Sequence, residues 1–135
     1  MSIELEIVSP ERLLLSRPVD MAVIPGSEGD IGVLGGHAPM IIMLRGGTIA
    51  LHENGQVTER LFVAGGFAEI TPERCTVLAD EALPISEVSR AEAERRLKAA
   101  EEAFAATSAY DVPAVDAALD RVQSARAMLE AAGAA

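Results

Sequence analysis

A chain of 135 residues, half of them hydrophobic, is long enough for one compact domain with a real core, or for such a domain and a short appendage. Its formal charge of −10 and pI near 4.6 exclude a nucleic-acid backbone or an anionic membrane surface as partner, since both select clustered Lys and Arg, and favour a basic protein surface. Trp is absent and other aromatics are scarce, which removes stacking platforms for bases or sugars, and a single cysteine excludes an internal disulfide.

The chain opens on Ile3-Glu4-Leu5-Glu6-Ile7, whose strict alternation predicts a strand with Ile3, Leu5 and Ile7 on one face and the carboxylates in water. No basic leader precedes it and no apolar run approaches membrane-spanning length, so the sequence predicts a protein that is neither secreted nor membrane-spanning. Ser9-Pro10-Glu11 ends the strand. Leu13 to Leu15 and Val19 to Ile24 read as two further short strands separated by Arg17-Pro18. The segment from Gly26 to Pro39 is so rich in glycine that it reads as a long shaped loop between apolar runs, the usual place for function. It lacks a Gly-Lys-Ser/Thr end, and Glu28 and Asp30 would repel phosphate, so the loop is expected to meet another protein.

Met40 to Leu44 reads as a strand stopped by Gly46-Gly47. Thr48 to His52 and Gln56 to Val63 flank Asn54-Gly55, a dipeptide suited to the positive φ angles of a tight hairpin. Gly65-Gly66 is expected to break the second arm. Phe67 to Ile70 and Cys75 to Ala79 then repeat the plan around Thr71-Pro72-Glu73-Arg74, with Cys75 a buried, inert thiol. Many short strands with turn chemistry between them predict a β-sandwich or flattened barrel over residues 1–84.

Composition changes at Pro84 to alanine, glutamate and arginine, and residues 85–135 are expected to form an antiparallel two-helix hairpin. Ser86 or Ser89 can cap the first helix, Ser89 and Glu92 having capping-box spacing, and Ala93, Leu97, Ala100 and Phe104 form its apolar stripe. Glu92, Arg95, Arg96, Lys98 and Glu102 are expected in solvent. After a turn at Thr107 to Tyr110, Asp111 can cap a second helix with Pro113 in its first turn, Val115, Leu119, Val122, Leu129 and Ala132 along its seam, and Gly133 as its end. Such small-residue seams hold a hairpin weakly without a further surface, so a movable appendage is expected.

No constellation for catalysis stands out. His37 and His52 lack the neighbouring His or Cys of a zinc site, no nucleophile elbow is present, and the acidic pairs Glu4/Glu6 and Glu101/Glu102 read as solvated faces. Arg121 and Arg126, five apart, do not form a close pair on an ideal helix.

Gly26-Ser27-Glu28-Gly29-Asp30-Ile31-Gly32, then Gly36-His37-Ala38-Pro39, Gly65-Gly66-Phe67-Ala68-Glu69-Ile70 and Val77-Leu78-Ala79-Asp80 strongly resemble the epsilon subunit of bacterial F-type ATP synthases, over the whole chain. The resemblance implies a non-catalytic rotor subunit of a proton-translocating synthase, peripheral on the cytoplasmic face of the inner membrane and attached only through the complex. It implies that the sandwich docks on the gamma shaft and the c-ring, with Glu28, Gly29 and Asp30 on the c-ring side and His37, Ala38 and Pro39 on the gamma side. The hairpin is implied to fold down or extend, regulating hydrolysis and reaching the alpha and beta subunits. No cofactor is implied beyond a regulatory ATP held in some members by an Ile/Leu-Asp-x-x-Arg-Ala motif. Here Arg90 and Ala91 match that motif, Glu87 stands where aspartate is usual, Glu81 matches an upstream acidic position, and Arg121 aligns on the second helix. Apart from the resemblance, a free-standing β-sandwich binding module or small enzyme with a helical tail is the alternative.

Overall fold

In the computed structural model, which describes residues 2–134, the alternating N-terminal segment forms β1 (Ile3–Val8), followed by β2 (Leu13–Val19), β3 (Met21–Gly26), β4 (Gly29–Leu34), β5 (Met40–Met43), β6 (Gly47–Glu53), β7 (Gln56–Ile70) and β8 (Arg74–Pro84). They join in one 8-stranded sheet ordered β2-β1-β8-β7-β6-β3-β4, with β5 paired to β7. Its key is the length of β7, 15 residues, and β8, 11 residues. The first half of β7 pairs with β6 and the second half with β5, while the first half of β8 carries β1 in parallel. The sheet therefore folds over on β7 and β8 into two layers. Ile3, Leu5, Ile7, Val77 and Ile70 from one layer meet Ile24, Ile49, Leu51, Leu61 and Val63 from the other in a single buried cluster. Cys75 lies in it, and burial pushes its thiol up to about 12.

Local turn chemistry behaves as its residue types dictate. Asn54 and Gly55 take φ of 53° and 76° between β6 and β7. Thr71 and Arg74 close the β7–β8 turn, the Thr71 N–H donating to the Arg74 carbonyl at 2.8 Å.

Three breaks expected from glycine and proline are instead parts of strands. Most of the segment read as a loop is a β3–β4 hairpin, with Gly26 opposite Gly29 and only Ser27 and Glu28 at its turn. Glycine serves that turn: a Cβ on Gly26 would sit 2.8 Å from the Gly29 carbonyl oxygen, and Gly29 has φ of 140°. The irregular remainder is residues 35–39. Gly65 and Gly66, with φ of 70° and 92°, bend β7 from one layer to the other; the ladder to β8 skips Gly65 and continues in the same register from Gly66 opposite Ala79. Pro18 stays inside β2 because that strand is at the sheet edge, where its missing N–H costs no ladder bond.

A short 3-10 turn (Ile85–Glu87) leads to α1 (Arg90–Ala105) and α2 (Val112–Ala134). Ser89 caps α1, accepting from the Glu92 N–H at 3.2 Å, and Asp111 accepts from the Ala114 N–H at 3.2 Å at the start of α2. Gly133 lies within α2 instead of ending it. The buried seam of α2 is Ala118, Val122, Ala125, Met128 and Ala131, so only Val122 of the expected seam is fully enclosed, and Leu119 and Phe104 face outward. The helix has two neighbours, α1 and the sheet, and alanines permit the close approach to both that leucines would prevent. The further surface is supplied by the outer face of the β6–β7 layer. There Phe62, pointing away from the sandwich interior, packs with Val88, Ala93, Met128 and Ala131.

Candidate functional site

Because the hairpin covers one outer face of the sandwich, the other outer face is bare. Strand register builds a row across it: Met43 lies opposite Phe67, Phe67 opposite Leu78, Leu78 opposite Val8, and Val8 opposite Leu13. Their neighbours along the strands, Ala68, Val77 and Ile7, point into the core, so alternation sends the row outward. Leu13 joins it through a register shift between Ile7 and Val8 that skips Leu14. Met43 is 60% exposed, Leu13 57%, Leu78 39% and Phe67 37%. Ile41, also exposed, extends the patch along β5. Side chains this apolar, contiguous and open to water mark a docking surface more than a solvated sheet.

Strand β5 links this row to both groups of residues singled out in the sequence. At its Met43 end, the Ser27 N–H donates to the Met43 carbonyl at 2.8 Å, which fixes the Ser27-Glu28 turn beside the row. Glu28, Gly29 and Asp30 flank a groove of about 370 Å³ whose other wall is Met40 to Met43. The two carboxylates differ. Asp30 Oδ1 pairs with Arg45 Nη2 at 2.5 Å, whereas Glu28 forms no ion pair among the described residues. Before the Met40 end of β5, His37, Ala38 and Pro39 lie in the irregular segment tied to the β7–β8 turn by the Gly36 N–H and the Pro72 carbonyl, at 2.7 Å. His37 Nδ1 is 2.8 Å from the Ala38 carbonyl oxygen.

A second concavity of about 640 Å³ lies between β7, β8 and the two helices, and Glu81, Arg96, Asp120 and Arg121 are its charged members together with Asp80. Arg96 is exposed, as expected, and its head also reaches the sheet: Nη1 donates to Glu81 Oε1 at 2.6 Å, and that bond raises the guanidinium pKa. Of the residues matched to a nucleotide motif, Glu81 and Arg121 line this groove. Glu87, Arg90 and Ala91 are elsewhere: Glu87 faces Arg12 at 3.6 Å, and Arg90 pairs with Glu94 along α1 at 3.1 Å. Arg126 borders a different groove beside Arg45 and Arg60, since residues five apart are turned by about 140° around a helix. The structure thus brings Glu81 and Arg121 to one groove and places Glu87, Arg90 and Ala91 outside its lining.

The apolar row escaped the sequence reading. Its signal was available in Phe67-Ala68-Glu69-Ile70, where Phe67 shares a face with Glu69 and not with the core residues Ala68 and Ile70.

No helix among the described residues is long and apolar enough to cross a membrane. Residues 2–85 match the family described as the beta-sandwich domain of the ATP synthase delta/epsilon chain. The chain is 66% identical over 128 residues to the ATP synthase epsilon chain of Granulibacter bethesdensis, covering 95% of each. It is 51% identical over 133 residues to that of Gluconacetobacter diazotrophicus, covering 98% of this chain and 94% of the relative. In fold it is similar to a chain in the structure of the Tetrahymena thermophila mitochondrial ATP synthase central stalk and c-ring, with TM-score 0.65 over 98% of this chain and 97% of that one. At 13% identity, that likeness concerns the fold alone.

Proposed function

The chain belongs to the ATP synthase epsilon-chain family as a non-catalytic subunit, and on that premise we propose that it joins the gamma shaft to the c-ring as a rotor element of the central stalk. The observation that carries this reading is the exposed row Met43–Phe67–Leu78–Val8–Leu13, which ends beside an acidic turn. The row suits the apolar part of a permanent contact with gamma, with His37, Ala38 and Pro39 extending it. The turn at Glu28, Gly29 and Asp30 suits the polar loops of the c-ring, where charge fixes register more than it adds affinity. A closed sandwich between them passes torque without bending, because the packed core resists deformation. The chain is then peripheral on the cytoplasmic face of the inner membrane, held there by the proton-translocating complex.

The test uses the assembled synthase. Leu78→Arg is expected to reduce the chain retained on the purified complex at least about tenfold while its own unfolding free energy moves by about 0.5 kcal/mol or less, since the position is on the surface. Glu28→Lys is expected to leave retention intact and lower ATP-driven proton pumping. Asp30 is left unchanged because Arg45 holds it. Full retention and full pumping in both variants would overturn the assignment.

A further inference from the structure

One short segment, Leu44-Arg45-Gly46-Gly47, is gripped from both sides. From the helical side, Gln123 of α2 treats Gly46 as a neighbouring strand would. Its Oε1 accepts from the Gly46 N–H at 2.9 Å, and its Nε2 donates to the Gly46 carbonyl at 2.6 Å. The helix comes so close that a Cβ on Gly46 would lie 2.6 Å from Ser124 Cα. From the other side, Arg45 holds the base of the acidic turn. Its N–H donates to the Pro25 carbonyl at 3.0 Å, Nη1 to the Gly26 carbonyl at 2.6 Å, and Nη2 to Asp30 at 2.5 Å. Gly47 backs onto Pro25, where a Cβ would sit 2.7 Å from the proline Cβ. Asp30, Arg45, Gly46 and Gln123 also border one shared groove of about 790 Å³, so the two grips adjoin in space as well as in sequence.

We propose that the seating of α2 and the ordering of the acidic turn are energetically coupled through Arg45 and Gly46, with Gln123 as the latch. The physical step is local. Gly46, between Arg45 and the start of β6 at Gly47, is the glycine joint of this segment, and the double hydrogen bond to Gln123 fixes its peptide planes. With those planes fixed, the Arg45 guanidinium is held against Gly26 and Asp30. Lifting α2 frees the segment and loosens the turn. By reciprocity, a partner that immobilises the turn strengthens the seat of the helix. The coupling requires no nucleotide and holds whatever the turn docks on.

Hydrogen exchange of the full chain reads both ends at once. In Gln123→Leu, amides of α2 and of residues 26–31 are both expected to exchange about tenfold faster or more, within the usual range of such couplings, while β1 and β8 keep their rates. Arg45→Met should loosen the turn, and adding Gln123→Leu to it should change the turn no further. Should Gln123→Leu fail to fold, Gln123→Asn, one methylene too short to bridge both Gly46 groups, is read by the same criteria. A freed α2 with wild-type exchange at residues 26–31, or turn effects of the single variants that multiply in the double variant, would overturn the coupling.

Discussion

Phe62→Ala separates the stability of the hairpin's seat from that of the sandwich. Phe62 is 1% exposed, yet its ring faces Val88, Ala93, Met128 and Ala131, while Leu61 and Val63 on either side point into the sandwich. Truncating a buried phenylalanine costs about 3–5 kcal/mol in transfer and cavity terms, and here nearly all of that falls on the contact between sheet and helices. The polar contacts that also hold the helices are modest. The two Gln123–Gly46 hydrogen bonds are worth about 1 kcal/mol each net, and the half-exposed Arg96–Glu81 pair about 1 kcal/mol or less after screening. A loss of 3 kcal/mol shifts the seating equilibrium more than about a hundredfold. In exchange measurements, amides of α1 and α2 should therefore accelerate by about that factor while those of β1 and β8 stay as they were. The reasoning is refuted if sheet and helices accelerate together, since the ring would then belong to the sandwich's own stability, or if neither changes.

Other outcomes follow from single positions. Gly66→Ala should lower the denaturation midpoint by the equivalent of about 2 kcal/mol or more, because the site has φ of 92° and its new methyl would strike the Leu78 carbonyl; a variant as stable as wild type would contradict the bend described in β7. The Glu53 carboxyl is held below its ordinary 4.5 by the Thr58 hydroxyl and then by Arg17, so it adds stability above that value and loses it as pH falls through the lower folded pKa. The stability gap between wild type and Glu53→Gln should therefore be open at pH 7 and close under acid titration followed by urea unfolding; a gap independent of pH would refute it. Because Glu81 and Arg121 share one groove while Glu87 and Arg90 form ion pairs outside it, affinity for ATP is expected to be weak: calorimetric titration with magnesium-free ATP should show no saturable heat at micromolar ligand, and a micromolar isotherm would refute this.

Features governed by neighbours in the chain were legible in the sequence. Asn54-Gly55 announced its hairpin, Ser89 and Glu92 their helix start, and Ile3-Glu4-Leu5 its buried face, because each depends on backbone preference or strand period alone. The Gly-His-Ala-Pro and Gly-Gly segments likewise identified the family that close relatives establish. Glycine misled wherever its role was tertiary: Gly65 and Gly66 read as a break but serve a bend that only a two-layer sheet requires. The seam of α2 was misplaced because large apolar residues were preferred over alanines, whereas the helix needed closeness to two surfaces. The apolar row and the Gln123 latch depend on registers between segments dozens of residues apart, and no local pattern encodes those.

The parallel pairing of β1 with β8 also sets an order of assembly. During synthesis β1 can find only β2, and its other flank stays open until Arg74 to Leu78 have been made. Closing that ladder joins the ends of the sandwich across almost its whole length, the slow kind of contact that chain entropy disfavours until the rest is in place. The newborn chain therefore carries Ile3, Leu5 and Ile7 half-covered while most of its strands emerge, and this interval is when it is most exposed to aggregation. The helices, which follow β8 in the chain, arrive at a sheet that has only just closed.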